Sequence, residues 1–450
     1  MLNSLFNNKK WVEIGYKADN LIKKFDSKRC KILLFGQVQS GKTQKTIEII
    51  EKAVKEYNYN YVFFIAGTNN LLVEQAIQRV NKKIPIYSKI DYKIAGSKCV
   101  FGILKHPKQL NQMKKFIIEN NDKKILIIDD ESDFYSIDTN HNLNNHTIIN
   151  KLLEESYSAI NPNNGGILSV SGTPYANLLN SKNDEPIKYI FASNYSEDYC
   201  GIDFFDKLKN DFYIIKNFED DNDYLRYSIK LWIIKTYLFF NQNYNQNLKS
   251  QLLVNINVEN NKHEEYKKII RNNLLLLIKN ENNTISEFKK IIENLKILNV
   301  NSDLVFEFLK KEIVPNYELF LLNAKSEENI KFNNYKFEII IGGVLISRGV
   351  TFENLITMCF LNSSEYSNAD TLIQRMRWLG YRKINNRYKY MNVVTNESIY
   401  KNQIKIFNKY NNIFIGNNDG GELRIDNIIE NLVKFDEELK LKSTDKNKKY

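Results

Sequence analysis

The chain is predicted to be an α/β protein of two doubly wound lobes with parallel sheets, plus a helical insertion and a C-terminal helix. Two observations carry this. Its short apolar runs are nearly continuous rather than alternating, the mark of strands buried on both faces. Those runs are separated by helix-like segments, and after a polar helical interlude the same alternation begins again. A length of 450 residues accommodates two or three domains.

In the first half, KILLFG (31–36), YVFFIA (61–66), CVFGIL (99–104), KILIID (124–129) and GILSVSG (166–172) are rich in β-branched and aromatic residues and read as strands. Segments 43–55 and 71–81 read as intervening helices, and together these elements define a first lobe over 1–195. Residues 205–248 turn helical and polar around LWIIKTYLFF (231–240), so 196–250 is expected to be a helical linker or insertion. A second lobe over 251–412 opens on QLLVNINV (251–258) and carries an additional helical segment over 262–313. Strands then follow at YELFLLN (317–323), FEIIIGG (337–343), LITMCF (355–360) and YMNVVT (390–395), with helices over 367–379 and 397–411. The remainder, 413–450, reads as an amphipathic helix over about 425–442 and a basic tail, STDKNKKY.

Composition narrows the function. A chain that is 43% hydrophobic and 26% charged is an ordinary globular one. Cys30, Cys99, Cys200 and Cys359 lie far apart, with no CxxC pair and no Cys/His cluster of metal-ligand spacing. That excludes a zinc module or disulfide scaffold and points to a reduced, intracellular compartment. The N-terminus lacks an apolar segment behind a basic start, and LWIIKTYLFF is short and interrupted by Lys235. A cytoplasmic protein with no membrane partner is therefore expected. The net charge of +11 favours anionic partners, nucleic acid above all, although a general abundance of Asn, Lys, Ile and Tyr dilutes that inference.

Glycine is scarce, and seven of the 17 glycines fall in four short stretches that carry the candidate chemistry. GQVQSGKT (36–43) fits G-x-x-x-x-G-K-[ST] directly after a strand and before a helix, the context this phosphate-binding loop requires. Gly36 and Gly41 let the loop curl so that its N–H groups face phosphate oxygens; Lys42 would reach the β- and γ-phosphates and Thr43 would ligate Mg²⁺. ILIIDDESD (125–133) runs a strand into carboxylates, where Asp130 would hold Mg²⁺ and Glu131 would orient and deprotonate the attacking water. SVSGTPYAN (169–177) leads another strand into a turn that contains one of six prolines, and a plain turn explains it nearly as well as a functional loop. GGVLISRGVTFENL (342–355) places Gly342, Gly343, Gly349 and Arg348 after an apolar strand, a backbone that admits a phosphate or sugar or forms a tight turn.

QRMRWLGYR (374–382) holds Arg375, Arg377 and Arg382, three of ten arginines in a chain with 54 lysines. Arg is favoured over Lys where planar, bidentate contact with phosphate is needed, and an arginine finger adds roughly 10³ to 10⁵ in rate. The other reading is a surface helix whose arginines stack on Trp378 and Tyr381.

In this order the motifs resemble those of the superfamily 2 helicases and translocases, which have two RecA-like P-loop lobes. VQSGKT, IIDDESD, SGTPYAN, GGVLISRGVTFENL and DTLIQRMRWLGYR together look like the Z-one domain family of helicase-like ATPases, often labelled endonucleases. The resemblance spans 36 to 382. It implies that Gly36, Ser40, Gly41, Lys42, Thr43 and Gly349 bind ATP, and that Thr43 and Asp130 hold Mg²⁺ beside the catalytic Glu131. It further implies that Ser171, Gly172, Thr173 and Pro174 couple hydrolysis to lobe movement, and that Ser347, Arg348 and Thr351 touch nucleotide or nucleic-acid backbone. Arg377 and Arg382 would be the fingers, whereas Arg375 matches no fixed arginine of the family. The implied activity is ATP hydrolysis coupled to movement on nucleic acid, with DNA preferred and RNA left open, in defence, repair or viral DNA metabolism, and restriction or repair proteins are candidate partners. Two alternatives stand beside it: an endonuclease or nuclease subunit of a restriction-like system, and an ATP-gated scaffold. The one acid-x-Lys run quoted for a metal nuclease, Glu265-Tyr266-Lys267, lies in a charge-rich helical stretch and reads as a solvated face.

Overall fold

The structure is a computed structural model that describes residues 12–14, 17–37, 39–67, 70–88, 90, 98–133, 147–172, 177, 187–193, 197–243, 247–256, 259–322, 334–343, 351–361 and 369–414. It divides into two compact units. The first runs to residue 196, and the second covers most of 197–409.

The first unit is built on eight strands: β1 (Val12–Ile14), β2 (Cys30–Phe35), β3 (Tyr61–Ile65), β4 (Ile86–Tyr87), β5 (Cys99–Ile103), β6 (Ile125–Asp130), β7 (Gly166–Ser171) and β8 (Ile187–Ala192). Their order is β1-β8-β2-β7-β6-β3-β5-β4, and every pairing is parallel. Parallel neighbours need crossovers, supplied by α1 (Ala18–Ser27), α2 (Lys42–Lys55), α3 (Asn70–Asn81), α4 (Pro107–Glu119) and α5 (Ile148–Ala159). The near-continuous apolar runs follow from helices on both faces. Ile32, Leu34, Val62, Phe64, Leu126 and Ile128 pack with α1, α2 and α3. The alternate residues Tyr61, Phe63, Ile65, Ile125 and Ile127 pack with Leu110, Met113 and Phe116 of α4 and with Tyr157 of α5. Each such side chain, removed from water, contributes about 1.5–3 kcal/mol.

β1 and β8 were not legible as strands. β1 is three residues long, and in β8 the sequence IKYIFA interrupts its apolar run with Lys188, which is exposed.

The second unit carries β9 (Tyr199–Cys200), β10 (Tyr213–Ile215), β11 (Ser250–Asn255), β12 (Tyr317–Leu322), β13 (Phe337–Gly342), β14 (Leu355–Phe360), β15 (Gly380–Tyr381) and β16 (Asn392–Thr395). Six of these form a second parallel sheet, β10-β16-β14-β11-β13-β12, while β9 and β15 pair antiparallel. Residues 197–250 belong to this unit and are not a separate linker. β10 pairs with β16, and the helix Asp221–Gln242 buries Leu225, Ile229, Trp232 and Ile233 in one core with Leu252, Val254, Ile356 and Cys359 of the sheet. Trp232 Nε1 donates to Ser250 Oγ at 2.8 Å, pinning that helix to the start of β11.

The segment 262–313 resolves into helices Asn260–Lys279, Glu281–Asn294 and Ser302–Phe308, which add Tyr266, Phe288 and Phe306 to the same core. The helix expected over 367–379 is shorter, Ala369–Arg375, because at Met376 the chain turns and Arg377 N–H bonds back to the Arg375 carbonyl at 2.8 Å. The helix expected over 425–442 lies outside the described residues.

Candidate functional site

Three of the motif-bearing strands are neighbours. β7 lies between β2 and β6, with Phe35 opposite Ser171 and Asp130 opposite Val170. All three run the same way, so GQVQSGKT, SVSG and DDESD emerge at one edge although up to 135 residues separate them in sequence. In open α/β sheets the crevice outside the carboxyl ends of the strands is where ligands bind.

The loop after β2 is tightly built. Gly36 N–H bonds to the Ser171 carbonyl at 3.2 Å, and a Cβ at Gly36 would sit 2.7 Å from Ser193 Cβ and 3.0 Å from Ser40 Oγ. No larger residue fits there without displacing β8 or the loop. Gly41 has a φ of 87° as it enters α2, and Gln39 adopts a φ of 59°, so the chain doubles back before the helix starts. Lys42 Nζ donates to the carbonyls of Gly36 at 3.1 Å and Gln37 at 2.9 Å, which holds the ammonium over the loop. Ser40 is buried, and Thr43 is half-buried on the first turn of α2. That turn also presents backbone N–H groups and the positive end of the helix dipole.

The acids after β6 are held by a residue the sequence reading missed. Lys105, 3% exposed, follows β5 and donates to the carbonyls of Asp130 at 3.0 Å and Glu131 at 3.1 Å. Its Nζ also lies 2.7 Å from Asp129 Oδ1 in an ion pair buried at both ends. The signal was present: a lysine ends an apolar strand, CVFGIL, that parallels the acidic one. Glu131 adopts a left-handed φ of 51°, and its N–H bonds to Asp130 Oδ1 at 3.0 Å. Burial, and then the neighbouring Glu131 carboxylate, push the Asp130 carboxyl up to about 7, while the charges of Lys42 and Lys105 pull the other way. The phosphate-loop lysine and the acidic motif therefore share one electrostatic environment.

The third strand is stitched to the same acids. Ser171 Oγ donates to Asp133 Oδ1 at 2.8 Å, Ser132 N–H bonds to the Val170 carbonyl at 3.0 Å, and Asn177 Nδ2 donates to Ser132 Oγ at 3.0 Å. Ser171 is buried and Gly172 half-buried, whereas Thr173 and Pro174 lie outside the described residues.

In the second unit, Ser347, Arg348 and Gly349 also lie outside the described residues, and Thr351 is half-buried. At the end of β11, the fully buried Asn255 donates through Nδ2 to the carbonyls of Gly342 at 2.7 Å and Gly343 at 3.1 Å, fixing the start of the glycine-rich motif. Asn255 was not singled out in the sequence; as one of three polar residues in QLLVNINV, with Gln251 and Asn257, it carried no distinguishing mark.

The arginines do not lie on a surface helix. Arg375, Arg377 and Arg382 are 7%, 4% and 3% exposed, and Trp378 is fully buried with its ring 5.8 Å from that of Phe360. Arg382 fans out to four backbone carbonyls. Its Nε donates to Trp378 O at 3.1 Å, one terminal nitrogen to Phe352 O at 2.8 Å and Glu353 O at 3.1 Å, and the other to Arg377 O at 2.8 Å. Burial, and then the nearby Arg387, bring its guanidinium down to about 9. Here Arg382 braces the QRMRWLGYR turn against the TFEN segment.

Among the described residues, no group of three or more His, Cys, Asp or Glu is arranged to hold a metal ion, and no helix is long and apolar enough to cross a membrane. Glu265 is an exposed side chain paired with Lys262 at 3.0 Å, and the intervening Tyr266 is buried. The acid-x-Lys run is thus a solvated helix face.

Fold and site together define an α/β protein with two parallel-sheet units, the first of which carries a phosphate-loop motif. A family model described as Z1 domain matches residues 224–447, so the family resemblance holds over the half that contains GGVLISRGVTFENL and QRMRWLGYR; the phosphate loop precedes that span. No curated protein matches the chain. Among solved structures it is similar to S. cerevisiae Dbp5 bound to RNA and ADP BeF3, at 12% identity over 85% of this chain and 83% of that one, with a TM-score of 0.46. It is also similar to the DEAD-box helicase Mss116 bound to ssRNA and UDP-BeF, at 12% identity over 84% of this chain and 69% of that one, with a TM-score of 0.44.

Proposed function

We propose that the protein is an ATP hydrolase that couples turnover to movement along nucleic acid, most readily DNA. The observation that supports this reading above others is the single edge of β2, β7 and β6, where a glycine-built loop, Lys42, Thr43, Asp130 and Glu131 converge. The donor set fits ATP with Mg²⁺: backbone N–H groups and an ammonium suit phosphate oxygens, and a hydroxyl with a carboxylate suits a hard divalent cation. When bound, Mg²⁺ supplies charge neutralisation on the transferred phosphoryl group.

The chain's own residues supply the rest. Lys42 exchanges the Gly36 and Gln37 carbonyls for phosphate oxygens; Gly36, Ser40 and Gly41 shape the loop; Thr43 and Asp130 are the cation's ligands. Glu131, held out of the strand by its left-handed backbone, orients the attacking water and accepts its proton. Ser171 is the coupling residue best supported, because its hydroxyl already bonds the acidic loop at Asp133; Gly172, Thr173 and Pro174 extend that connection. In the second unit Arg377 is the preferred finger and Arg382 its positioning residue, since Arg382 holds the Arg377 carbonyl. Ser347, Arg348, Gly349 and Thr351 are proposed contacts to nucleotide or nucleic-acid backbone. The net charge of +11 is consistent with a polyanionic track.

The test is Mg²⁺-dependent ATP hydrolysis measured across single-stranded and double-stranded DNA and RNA. DNA is expected to stimulate turnover, and Lys42→Ala to reduce it by about 100-fold or more. Turnover indifferent to every polynucleotide would refute the coupling, and normal turnover by Lys42→Ala would refute the site.

A further inference from the structure

The carboxyl-terminal edge of the second sheet carries Gly342 and Gly343. At the opposite edge, beside the amino-terminal ends of β10 and β16, lies a cavity of ≈ 430 Å³. It belongs to none of the motifs. Three lysines reach it from three separate elements: Lys235 from within the helix Asp221–Gln242, Lys296 from the turn after the helix Glu281–Asn294, and Lys389 just before β16. One carboxylate, Asp211, faces them. No ion pair among the described residues takes up any of the three ammonium groups.

The wall is built rather than incidental. Asn392, 2% exposed, donates through Nδ2 to the carbonyls of Asp211 at 2.9 Å and Phe212 at 3.3 Å, fixing the segment that carries the carboxylate. Tyr390 donates its hydroxyl to Gln242 Oε1 at 2.7 Å, fixing the adjoining corner. Leu238 and Ile297 supply an apolar side.

We propose that this cavity is a second anion site, separate from the phosphate loop, that takes a phosphate ester of nucleotide size. Cavities of about 300–1,000 Å³ suit small molecules and are too small for a folded partner. A phosphate group is a compact, multiply charged acceptor that several ammonium groups can share, each with three donors. The apolar side would meet the carbon part of the ester. Burial pushes the Lys235 ammonium down to about 8 even though Asp211 pulls it up, so the group is short of counter-charge and gains from an anion. A free nucleotide and the phosphorylated end of a nucleic-acid strand offer the same chemistry.

The experiment uses the full chain carrying Lys42→Ala, which removes the phosphate-loop contribution. Calorimetric titration compares AMP, a 5′-phosphorylated oligonucleotide and the same strand with a 5′-hydroxyl. If the ligand is a free ester, AMP binds once per chain, and Lys389→Gln and Lys235→Met each weaken it by about tenfold, the loss expected for one charge-assisted contact. If the ligand is a strand end, AMP does not bind, and the advantage of the 5′-phosphate disappears in both variants. Equal binding by parent and variants, or no phosphate-dependent binding at all, overturns the proposal. Lys389→Gln alters a side chain outside the hydrophobic core and keeps the test decisive should Lys235→Met fail to fold.

Discussion

Arg382 illustrates how one side chain can be legible as special while two kinds of work compete for it. Its rarity in a lysine-rich chain singles it out, but rarity does not separate a guanidinium that meets phosphate from one that meets carbonyls. Both uses draw on the same planar fork. With four carbonyls as acceptors, Arg382→Ala is expected to cost on the order of 3 kcal/mol in urea unfolding, and Arg382→Lys to recover little of it. Unchanged stability with lost turnover would instead restore the finger reading for Arg382.

Lys105 makes the complementary case. Lys105→Met leaves Asp129 buried without its cation and is expected to cost about 3–5 kcal/mol, with turnover falling as Glu131 loses its support. Glu131→Gln should behave differently: stability and ATP binding persist while hydrolysis is lost, measured by calorimetry beside an ATPase assay.

At the scale of elements, β7 is the wedge on which the site depends, since it carries Ser171 and separates the phosphate loop from the acids. Its entry is sterically narrow. Gly166 has a φ of 151°, and a Cβ there would fall 2.1 Å from the Cys30 carbonyl oxygen. Gly166→Ala is therefore expected to destabilise the protein by roughly 2–4 kcal/mol and to reduce ATP binding from a distance, read by thermal unfolding and titration.

The five apolar strands of the first sheet were readable because burial on both faces leaves an unbroken run. β8, which flanks β2 on its other side, was not, because an exposed Lys188 breaks its run. The helix Asp221–Gln242 was readable as a helix but not as part of a lobe. A segment apolar on several faces says that it is buried, not what it is buried against. The strand–loop–helix around GQVQSGKT and the acidic end of β6 could be placed from local spacing; Lys105 and Asn255 could not, because each acts on backbone that only the fold brings near it.

Taken whole, the chain joins a phosphate-loop unit to a second unit on which most of the Z1 domain match falls. On the proposed nucleic-acid track, a protein with a net charge of +11 should be salt-sensitive. Affinity for DNA, followed by fluorescence anisotropy, is expected to fall by roughly 10³-fold or more between 50 and 200 mM salt if about six or more phosphates are contacted. A flat salt response would argue for a protein partner as the principal target.

The strand order also dictates an order of birth. Among the described strands, β2 pairs only with β7 and β8, whose residues leave the ribosome more than 130 positions later. Until then both edges of the strand that leads into GQVQSGKT are unclaimed, and the early chain exposes β-branched segments to any neighbour. At about 5–20 residues per second this interval lasts roughly 7–27 seconds. For that time a nascent chain holds the whole phosphate loop without the sheet that shapes it.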